Sequence, residues 1–147
     1  ALVEPIRAFA RSGKPLLGIC LGMQLLSTTG DEGGPVDGLG LIGGRVVRFA
    51  GRAVPRIPHV GWNEIRLQRK HPVFRNVKSG ADFYYVHSYR FVCDDPVDAI
   101  GLFEYGGADY TSIVSRGSVL GFQFHPEKSQ GNGLRLVENF CDWDGRC

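Results

Sequence analysis

The chain has 147 residues, of which 43% are hydrophobic and 22% are charged, and its formal net charge is +2. These values fit one globular domain, and the scattered basic residues form no run that would indicate a nucleic-acid partner. No apolar stretch is long enough to cross a membrane and the start does not resemble a signal peptide, so we expect a cytoplasmic protein.

The first third of the chain predicts a helix, a strand and a second helix. Residues 2–12 mix apolar and charged positions as an amphipathic helix does, and Ser12-Gly13-Lys14 ends it. The apolar pattern then predicts a strand over 15–19 and a helix over 21–28. The side chains expected to be buried are Leu16, Leu17 and Ile19 on the strand, and Met23, Leu25 and Leu26 on the helix.

The rest of the chain is rich in predicted strands. Residues 38–44 predict a loop with a helical turn, and "DFYYVHSYRFV" (82–92) predicts one strong strand. Gly106-Gly107 marks the turn of a hairpin, and a further strand ends at His125-Pro126. A closing amphipathic helix follows, with candidate core residues Leu134, Leu136, Val137 and Phe140.

This order of elements predicts an α/β domain with added antiparallel strands. A near-continuous apolar strand such as 15–19 is normally buried on both faces of a parallel sheet. Its neighbours would come from earlier βαβ units, but only one predicted helix precedes it. We therefore expect the neighbours to come from later segments, or the N-terminal part of the domain to be missing.

The cysteines and histidines indicate neither a disulfide framework nor a metal site. The cysteines are irregularly spaced and form no Cys-x-x-Cys pair, so we expect reduced thiols, no zinc and no cofactor. Three histidines are scattered without ligand spacing, and the one before Pro72 is expected to be exposed. These residues are Cys20, Cys93, Cys141 and Cys147, and His59, His71 and His87.

The stretch Gly18-Ile19-Cys20-Leu21-Gly22 has the form of a nucleophile elbow with a thiol. Glycines permit the tight turn from strand to helix, which lifts the sulfur out of the sheet. The start of the helix is expected to favour the thiolate, and the Leu21 N–H to point toward an oxyanion. The alternative is a buried structural cysteine in a glycine-rich turn.

A second motif, "GFQFHPEKS", supplies the partners that a nucleophilic cysteine needs. His125 follows a strand and can serve as the base for the thiol and the acid for the leaving group. Glu127 can hold the imidazole in one tautomer. Alone, His125 is more often a surface residue and Glu127 a solvated carboxylate, but together with Cys20 they favour catalysis.

These two motifs resemble those of the class I glutamine amidotransferases. The pieces "PHVGWNEI", "FYYVHSYRF" and "FHPEKSQGNGLRLVENF" are similar to the amidotransferase subunits of imidazole glycerol phosphate synthases, in histidine biosynthesis. The resemblance runs from about Pro15 to Phe140. It implies a flavodoxin-like open sheet with helices on both faces, and a single domain over 1–147 that lacks the family's N-terminal βαβ units.

The resemblance also implies the site. Cys20 attacks the side-chain amide of L-glutamine, His125 protonates the departing ammonia, and Glu127 orients His125. The glutamine-binding positions of the family fall on Gln24, Glu32, Ser88 and Tyr89. Gln24 lies one helical turn beyond Cys20, and Glu32 would receive the substrate ammonium.

The implied partner is a (β/α)₈-barrel synthase subunit, forming a heterodimer. It takes the ammonia and makes imidazole glycerol phosphate and AICAR. The residues of this chain that resemble the family's partner-facing positions are Trp62, Asn63, Tyr84, Tyr85 and Lys128. Exposed aromatic residues suit an interface core, although ordinary sheet packing is expected for at least one of the tyrosines.

A departure from the family leaves other functions open. The loop that gives a second oxyanion N–H has no equivalent before Cys20, so we expect this chain to pair its free edges with another chain or to be weakly active. Ammonia could serve a different synthase, for example in a nucleotide-sugar pathway. The domain could instead be an inert assembly or regulatory module, or a cysteine hydrolase acting on esters.

Overall fold

The apolar run after Pro15 forms a short strand between two helices, as predicted. In the computed structural model, which describes residues 2–147, helix α1 (Val3–Arg11), strand β1 (Leu16–Ile19) and helix α2 (Leu21–Leu25) follow one another. Helix α2 ends three residues earlier than predicted. The carbonyls of Leu25, Leu26 and Ser27 accept hydrogen bonds from the N–H groups of the loop 39–42, and this loop packing replaces further helical turns.

Strands make up most of the remaining chain. Residues 38–43 contain no helical turn, contrary to the prediction. Within residues 2–147 no helix is both long and apolar enough to span a membrane. The further elements are β2 (Thr29–Gly30), β3 (Val36–Asp37), β4 (Gly44–Arg48), β5 (His59–Glu64), β6 (Arg66–Leu67), β7 (Asp82–His87), β8 (Tyr89–Cys93), β9 (Ala99–Tyr105), β10 (Ala108–Arg116), β11 (Val119–Phe122) and α3 (Gln130–Asp142).

The main sheet has five strands in the order β1-β11-β10-β9-β6. Strand β1 runs parallel to β11, with Leu16 opposite Val119 and Ile19 opposite Phe122. The other pairs are antiparallel, and β9 and β10 form the hairpin predicted around Gly106-Gly107. A four-stranded sheet, β3-β2-β4-β8, and the two-stranded sheet β5-β7 complete the fold.

The segment 82–92 is two strands rather than the single strand predicted. Strand β7 pairs with β5, whereas β8 pairs with β4 in a different sheet. The chain changes sheets at Ser88, whose carbonyl accepts a hydrogen bond from the Phe49 N–H at 3.1 Å. The β-forming residues on both sides of Ser88 hide this break in the sequence.

The main sheet is covered on both faces, which confirms the predicted open α/β arrangement. Two hydrophobic core clusters cover the two faces of the sheet. Neighbouring residues of β10 point to opposite faces, since Ile113 belongs to one cluster and Val114 to the other. The first cluster takes in Leu136 of α3 and the side chains of Phe83 and Tyr85 on β7. The second takes in Met23 of α2 and residues of the four-stranded sheet.

Several predicted core residues are more exposed than expected. On β1, Leu16 and Leu17 are half-buried and Ile19 is exposed, because among the residues described β1 has a neighbouring strand on one side only. Leu25 on α2 is 50% exposed and Leu134 on α3 is 60% exposed. Both face away from the sheet, whereas Met23, Leu26 and Leu136 face it.

The prediction that His71 is exposed is wrong. Its Nδ1 accepts a hydrogen bond from the Val73 N–H at 3.1 Å, where it caps a short 3₁₀ turn. Its Nε2 lies 3.2 Å from Ser115 Oγ, and its ring packs on Trp143. Both ring nitrogens are therefore used by the buried, neutral form of His71.

Candidate active site

Cys20 occupies the tight turn that joins β1 to α2. Its backbone has φ 52° and ψ −106°, a conformation that residues with a side chain rarely adopt. The Cys20 N–H donates to the Phe122 carbonyl at 2.7 Å, which ties the turn to the end of β11. A Cβ on Gly18 would lie 2.4 Å from the Gly22 carbonyl oxygen. Glycine at position 18 therefore lets α2 pack directly against β1.

His125 and Glu127 lie just beyond the end of β11. The His125 N–H donates to the Tyr84 carbonyl at 2.9 Å, and the His125 carbonyl accepts from Ser129 Oγ at 2.6 Å. His125 Nδ1 lies 2.6 Å from Glu127 Oε1. Because a carboxylate accepts, Nδ1 carries the proton and Nε2 is the nitrogen available to a reacting group.

The parallel pairing of β1 and β11 brings Cys20 and His125 to the same edge of the sheet. Ile19 is opposite Phe122, and each of the two site residues follows the carboxyl end of its strand. This edge is where ligands bind in open α/β sheets. The negative charge of Glu127 also raises the pKa of the Cys20 thiol.

The surroundings of Cys20 favour the thiol over the thiolate in the free protein. Burial raises the pKa of Cys20 above its ordinary value, and the charges of Glu127 and Glu32 add to the rise. The Leu21 N–H and the Lys128 ammonium lower the pKa. The expected preference for thiolate is therefore reversed, because α2 has only five residues and burial outweighs its N-terminal N–H.

A small cleft beside Cys20 contains three of the predicted site residues. It has a volume of about 70 Å³, and its walls include Leu21, Gln24 and Glu32. Gln24 is nearly buried, and its Nε2 donates to the Tyr89 carbonyl at 3.4 Å and to Gln123 Oε1 at 3.3 Å. The oxygen of the Gln24 amide is left for a ligand.

The other two predicted binding residues, Ser88 and Tyr89, are not part of the cleft walls. The Tyr89 carbonyl, which holds Gln24, also accepts from His87 Nδ1 at 2.8 Å. The Ser88 carbonyl bonds to Phe49 at the change of sheets. Tyr89 thus contacts the site through its carbonyl, whereas the contact of Ser88 is with Phe49 and not with a residue of the cleft.

The predicted partner-facing residues divide between the two faces of the two-stranded sheet β5-β7. Trp62 is 50% exposed and packs edge-on against Tyr84, and Lys128 Nζ lies 5.9 Å from the centre of the Tyr84 ring. Tyr85 is fully buried, with its hydroxyl 2.6 Å from Ser112 Oγ, which confirms the expectation that at least one of the two tyrosines belongs to ordinary sheet packing. Asn63 faces the same inner side as Tyr85 and donates to the Glu104 carbonyl at 2.8 Å.

Two buried histidines beside the site were not expected from the sequence to act together. His59 Nδ1 lies 2.9 Å from His87 Nε2, and Asn63 Nδ2 lies 3.3 Å from His59 Nε2. Burial lowers the pKa of each histidine to about 4. Their pairing follows from the β5-β7 register, which places residues 59 and 87 opposite each other and which the sequence does not state.

A much larger cleft lies away from this edge. It measures about 720 Å³ and is open, and residues between Leu67 and Val77 form its walls, among them Arg69 and Lys70. It contains none of the predicted site residues. The smaller cleft beside Cys20 is the better candidate for a binding site, because it adjoins the nucleophile and offers a carboxylate and an amide oxygen.

Comparison with known sequences identifies a family for nearly the whole chain. The family model described as "Glutamine amidotransferase class-I" matches residues 1–143. The chain is 43% identical over 139 residues to "Imidazole glycerol phosphate synthase subunit HisH" of Ruegeria pomeroyi, covering 94% of the chain and 65% of the relative. It is 47% identical over 145 residues to the protein of the same name from Syntrophotalea carbinolica, covering 95% and 70%. The chain thus spans about two thirds of the length of these relatives.

Solved structures share the fold at lower identity. "Structure of PurLQS from Thermotoga maritima" matches with a TM-score of 0.71 at 20% identity, covering 96% of this chain and 67% of that one. A glutamine amidotransferase from the same organism matches with a TM-score of 0.63 at 21% identity, covering 95% and 52%. These matches confirm the predicted fold class.

Proposed function

This chain belongs to the class I glutamine amidotransferase family, and from that membership we propose that it hydrolyses the side-chain amide of L-glutamine to glutamate and ammonia. The observation that carries the proposal is the elbow at Cys20, one residue past β1, beside the strand that leads to the His125–Glu127 pair. Nucleophile, base and orienting carboxylate then come from two neighbouring strand ends.

In the first half of the reaction, His125 Nε2 takes the proton from the Cys20 thiol, and the sulfur attacks the amide carbon of glutamine. The oxygen of the tetrahedral intermediate bears a negative charge, which the Leu21 N–H stabilises. His125 returns the proton to the amide nitrogen, the carbon–nitrogen bond breaks, and ammonia leaves. A γ-glutamyl thioester on Cys20 remains.

In the second half, water replaces ammonia. His125 Nε2 removes a proton from the water as its oxygen attacks the thioester carbon, and the carbon–sulfur bond breaks. The sulfur recovers the proton from His125, and glutamate is released. Glu127, 2.6 Å from Nδ1, stabilises the imidazolium in both halves and holds Nε2 toward the reacting atoms.

The small cleft is the proposed glutamine site. Glu32 would pair with the substrate ammonium, and Gln24 would offer its amide oxygen, because its nitrogen is already bonded to Tyr89 and Gln123. The backbone at Ser88 and Tyr89 would form the neighbouring wall. Two acceptors in one cleft suit the α-ammonium group of an amino acid.

The proposed recipient of the ammonia is a (β/α)₈ synthase subunit in histidine biosynthesis, held in a heterodimer. The relatives named as subunits of imidazole glycerol phosphate synthase support this choice, as does the exposed Trp62 beside Tyr84 and Lys128. We place the reaction in the cytoplasm, and the four free cysteines suit a reducing compartment. A different synthase would be indicated if that subunit failed to bind while another did.

A diazoketone analogue of glutamine tests the proposed function directly. It should alkylate Cys20 in preference to the other free thiols, Cys93, Cys141 and Cys147. Glutamine in excess should protect Cys20, and peptide mass spectrometry reads out both results. Labelling spread over all four cysteines, or none at Cys20, would favour an inert domain. Protection by simple esters and not by glutamine would favour an ester hydrolase.

A further inference from the structure

Gln123 joins the Cys20 sulfur to the proposed glutamine cleft. Its side chain is fully buried, with Nε2 4.0 Å from Cys20 Sγ and Oε1 3.3 Å from Gln24 Nε2. Its backbone N–H donates to the Ser112 carbonyl at 2.8 Å, which fixes its place between β11 and His125. Both ends of the Gln123 amide therefore have a partner in the site.

The orientation of the two amides follows from one carbonyl. The Tyr89 carbonyl can only accept a hydrogen bond, so the Gln24 atom 3.4 Å from it must be nitrogen. The same nitrogen faces Gln123, which must present its oxygen there. The nitrogen of Gln123 is then the atom that faces the sulfur.

The buried histidines hold that carbonyl in place. His87 Nδ1 donates to Tyr89, so His87 Nε2 is the acceptor for the Nδ1–H of His59. Because burial lowers the pKa of both histidines to about 4, both are neutral at pH 7 and can form this sequence of bonds. Donation thus runs from the β5-β7 pair to the Tyr89 carbonyl, which also accepts from Gln24 Nε2 on the side of the cleft.

We propose that Gln123 is a positioning residue for Cys20, and that its amide N–H, oriented by Gln24, donates to the sulfur and stabilises the thiolate. The role rests on the proposed glutamine hydrolysis, in which the thiolate is the attacking species. It also links the cleft to the nucleophile, since Gln24 contacts both the ligand space and Gln123.

The surroundings of Cys20 disfavour the thiolate, so a hydrogen bond from the Gln123 amide N–H matters for its stability. Burial and the carboxylates of Glu127 and Glu32 all raise the pKa of Cys20, and the Leu21 N–H and Lys128 oppose them. Gln123 adds an N–H from the buried side without adding a charge. A neutral donor there avoids the desolvation cost that a buried cation would carry.

Substitution of Gln123 by Met tests the proposal in the full chain. Methionine is apolar and of similar length, so the packing beside the partly buried sulfur is kept while the N–H is lost. The alkylation of Cys20 by iodoacetamide, followed from pH 6 to 10 by peptide mass spectrometry, should be about threefold to tenfold slower at pH 7, and its profile should move to higher pH. Gln68→Met, an exposed glutamine that bonds to the Arg66 carbonyl, is the matched control and should leave the profile unchanged. An unchanged profile in a folded Gln123→Met variant would overturn the proposal.

Gln24→Met provides a second test if Gln123→Met does not fold. It leaves Gln123 in place but removes the contact that orients its amide, so Cys20 should again react more slowly at pH 7, by a smaller factor. A profile identical to that of the unsubstituted chain would overturn the orienting role of Gln24. Alkylation needs no glutamine turnover, so a shift in the profile of a chain that does not hydrolyse glutamine would refute the proposed function alone.

Discussion

At the scale of single residues, Cys20 combines chemistry with backbone strain. Its φ of 52° with ψ of −106° mirrors an ordinary extended conformation, which only glycine adopts without cost. The strained turn also sets the position of the sulfur, because it directs the Cys20 side chain out of the sheet. Removing the side chain should therefore affect stability and chemistry in opposite directions.

We expect Cys20→Gly to be more stable than Cys20→Ala, by about 1 kcal/mol in the free energy of unfolding. Alanine keeps a Cβ in the strained conformation and glycine does not. We expect the strain relieved by glycine to exceed the stability that is lost because glycine makes the unfolded chain more flexible. Urea denaturation of the two variants measures the difference, and both should lose labelling by the glutamine analogue. Equal stability would mean that the turn relaxes around alanine.

The buried His71 predicts a pH dependence of stability that is separate from the candidate site. Burial lowers its pKa to about 4, below the value of about 6.5 in an unfolded chain. Between pH 4 and pH 6.5 the unfolded state binds more protons than the folded state. The contribution of His71 to the free energy of unfolding is therefore complete above pH 6.5 and falls as the pH drops toward 4. His59 and His87 act in the same direction.

Between pH 7 and pH 5 we expect His71→Asn to lose less free energy of unfolding than the unsubstituted chain, by up to about 2 kcal/mol. Asparagine can accept from the Val73 N–H but does not titrate. Ser115→Ala is the control, because it removes the partner of Nε2 and leaves a titratable His71. Urea denaturation at the two pH values measures the effect, and an equal loss in His71→Asn and the unsubstituted chain would contradict it.

At the scale of elements, the junction of β1 and α2 depends on one of its two glycines for packing. A Cβ at Gly18 would meet the Gly22 carbonyl at 2.4 Å and the Met23 nitrogen at 2.7 Å. A Cβ at Gly22 would have no atom within 4 Å. The two glycines look equivalent in the motif, but they carry different structural requirements.

Gly18→Ala should lower the free energy of unfolding by more than about 2 kcal/mol, because the backbone of α2 must move away from β1. Gly22→Ala is its matched partner and should be neutral or up to about 1 kcal/mol more stable, since alanine favours a helix. Chemical denaturation of the two variants side by side is the measurement. Similar losses in both would show that the contact at Gly18 is not what limits substitution.

The elements that the sequence predicted well are those whose local pattern matches their contacts. Helix α1, strand β1, the β9-β10 hairpin and helix α3 have clear periodicity or turn residues. The length of α2 and the break at Ser88 were mispredicted, because both depend on distant backbone partners. Exposure of Leu25 and Leu134 was missed for the same reason, since an apolar pattern does not state what covers it.

The candidate site shows the same division between local motif and distant contact. Cys20, His125 and Glu127 could be proposed from residue type and spacing alone, since elbow and strand-end motifs are local. The roles of Gln123, His59 and His87 could not, because their partners come from other strands. The raised pKa of Cys20 was also hidden, because burial is a property of the folded molecule.

At the scale of the whole molecule, one exposed aromatic face lies near the candidate site. Trp62, Tyr84 and Lys128 lie together, and Lys128 follows Glu127 directly. Large aromatic residues supply much of the binding energy at protein interfaces. Because the Lys128 charge acts on Cys20, a partner on this face would sit close to the nucleophile.

We expect Trp62→Ala to weaken binding of the proposed (β/α)₈ subunit by about tenfold to a hundredfold, while Cys20 remains reactive toward the glutamine analogue. Isothermal titration calorimetry with the purified subunit measures the affinity. Val97→Ala removes another exposed apolar side chain, from the turn before β9, and should bind normally. Unchanged affinity in Trp62→Ala would place the partner on a different face.

The parallel pairing of β1 with β11 also has a consequence for the order in which the protein is made. The two strands are separated by about a hundred residues of chain, so the cysteine is synthesised long before the histidine that must join it. Contacts so distant in sequence form late in folding. A nascent chain still emerging from the ribosome therefore carries the Cys20 thiol without His125, and the proposed turnover of glutamine would begin only after nearly all of this sequence has been translated.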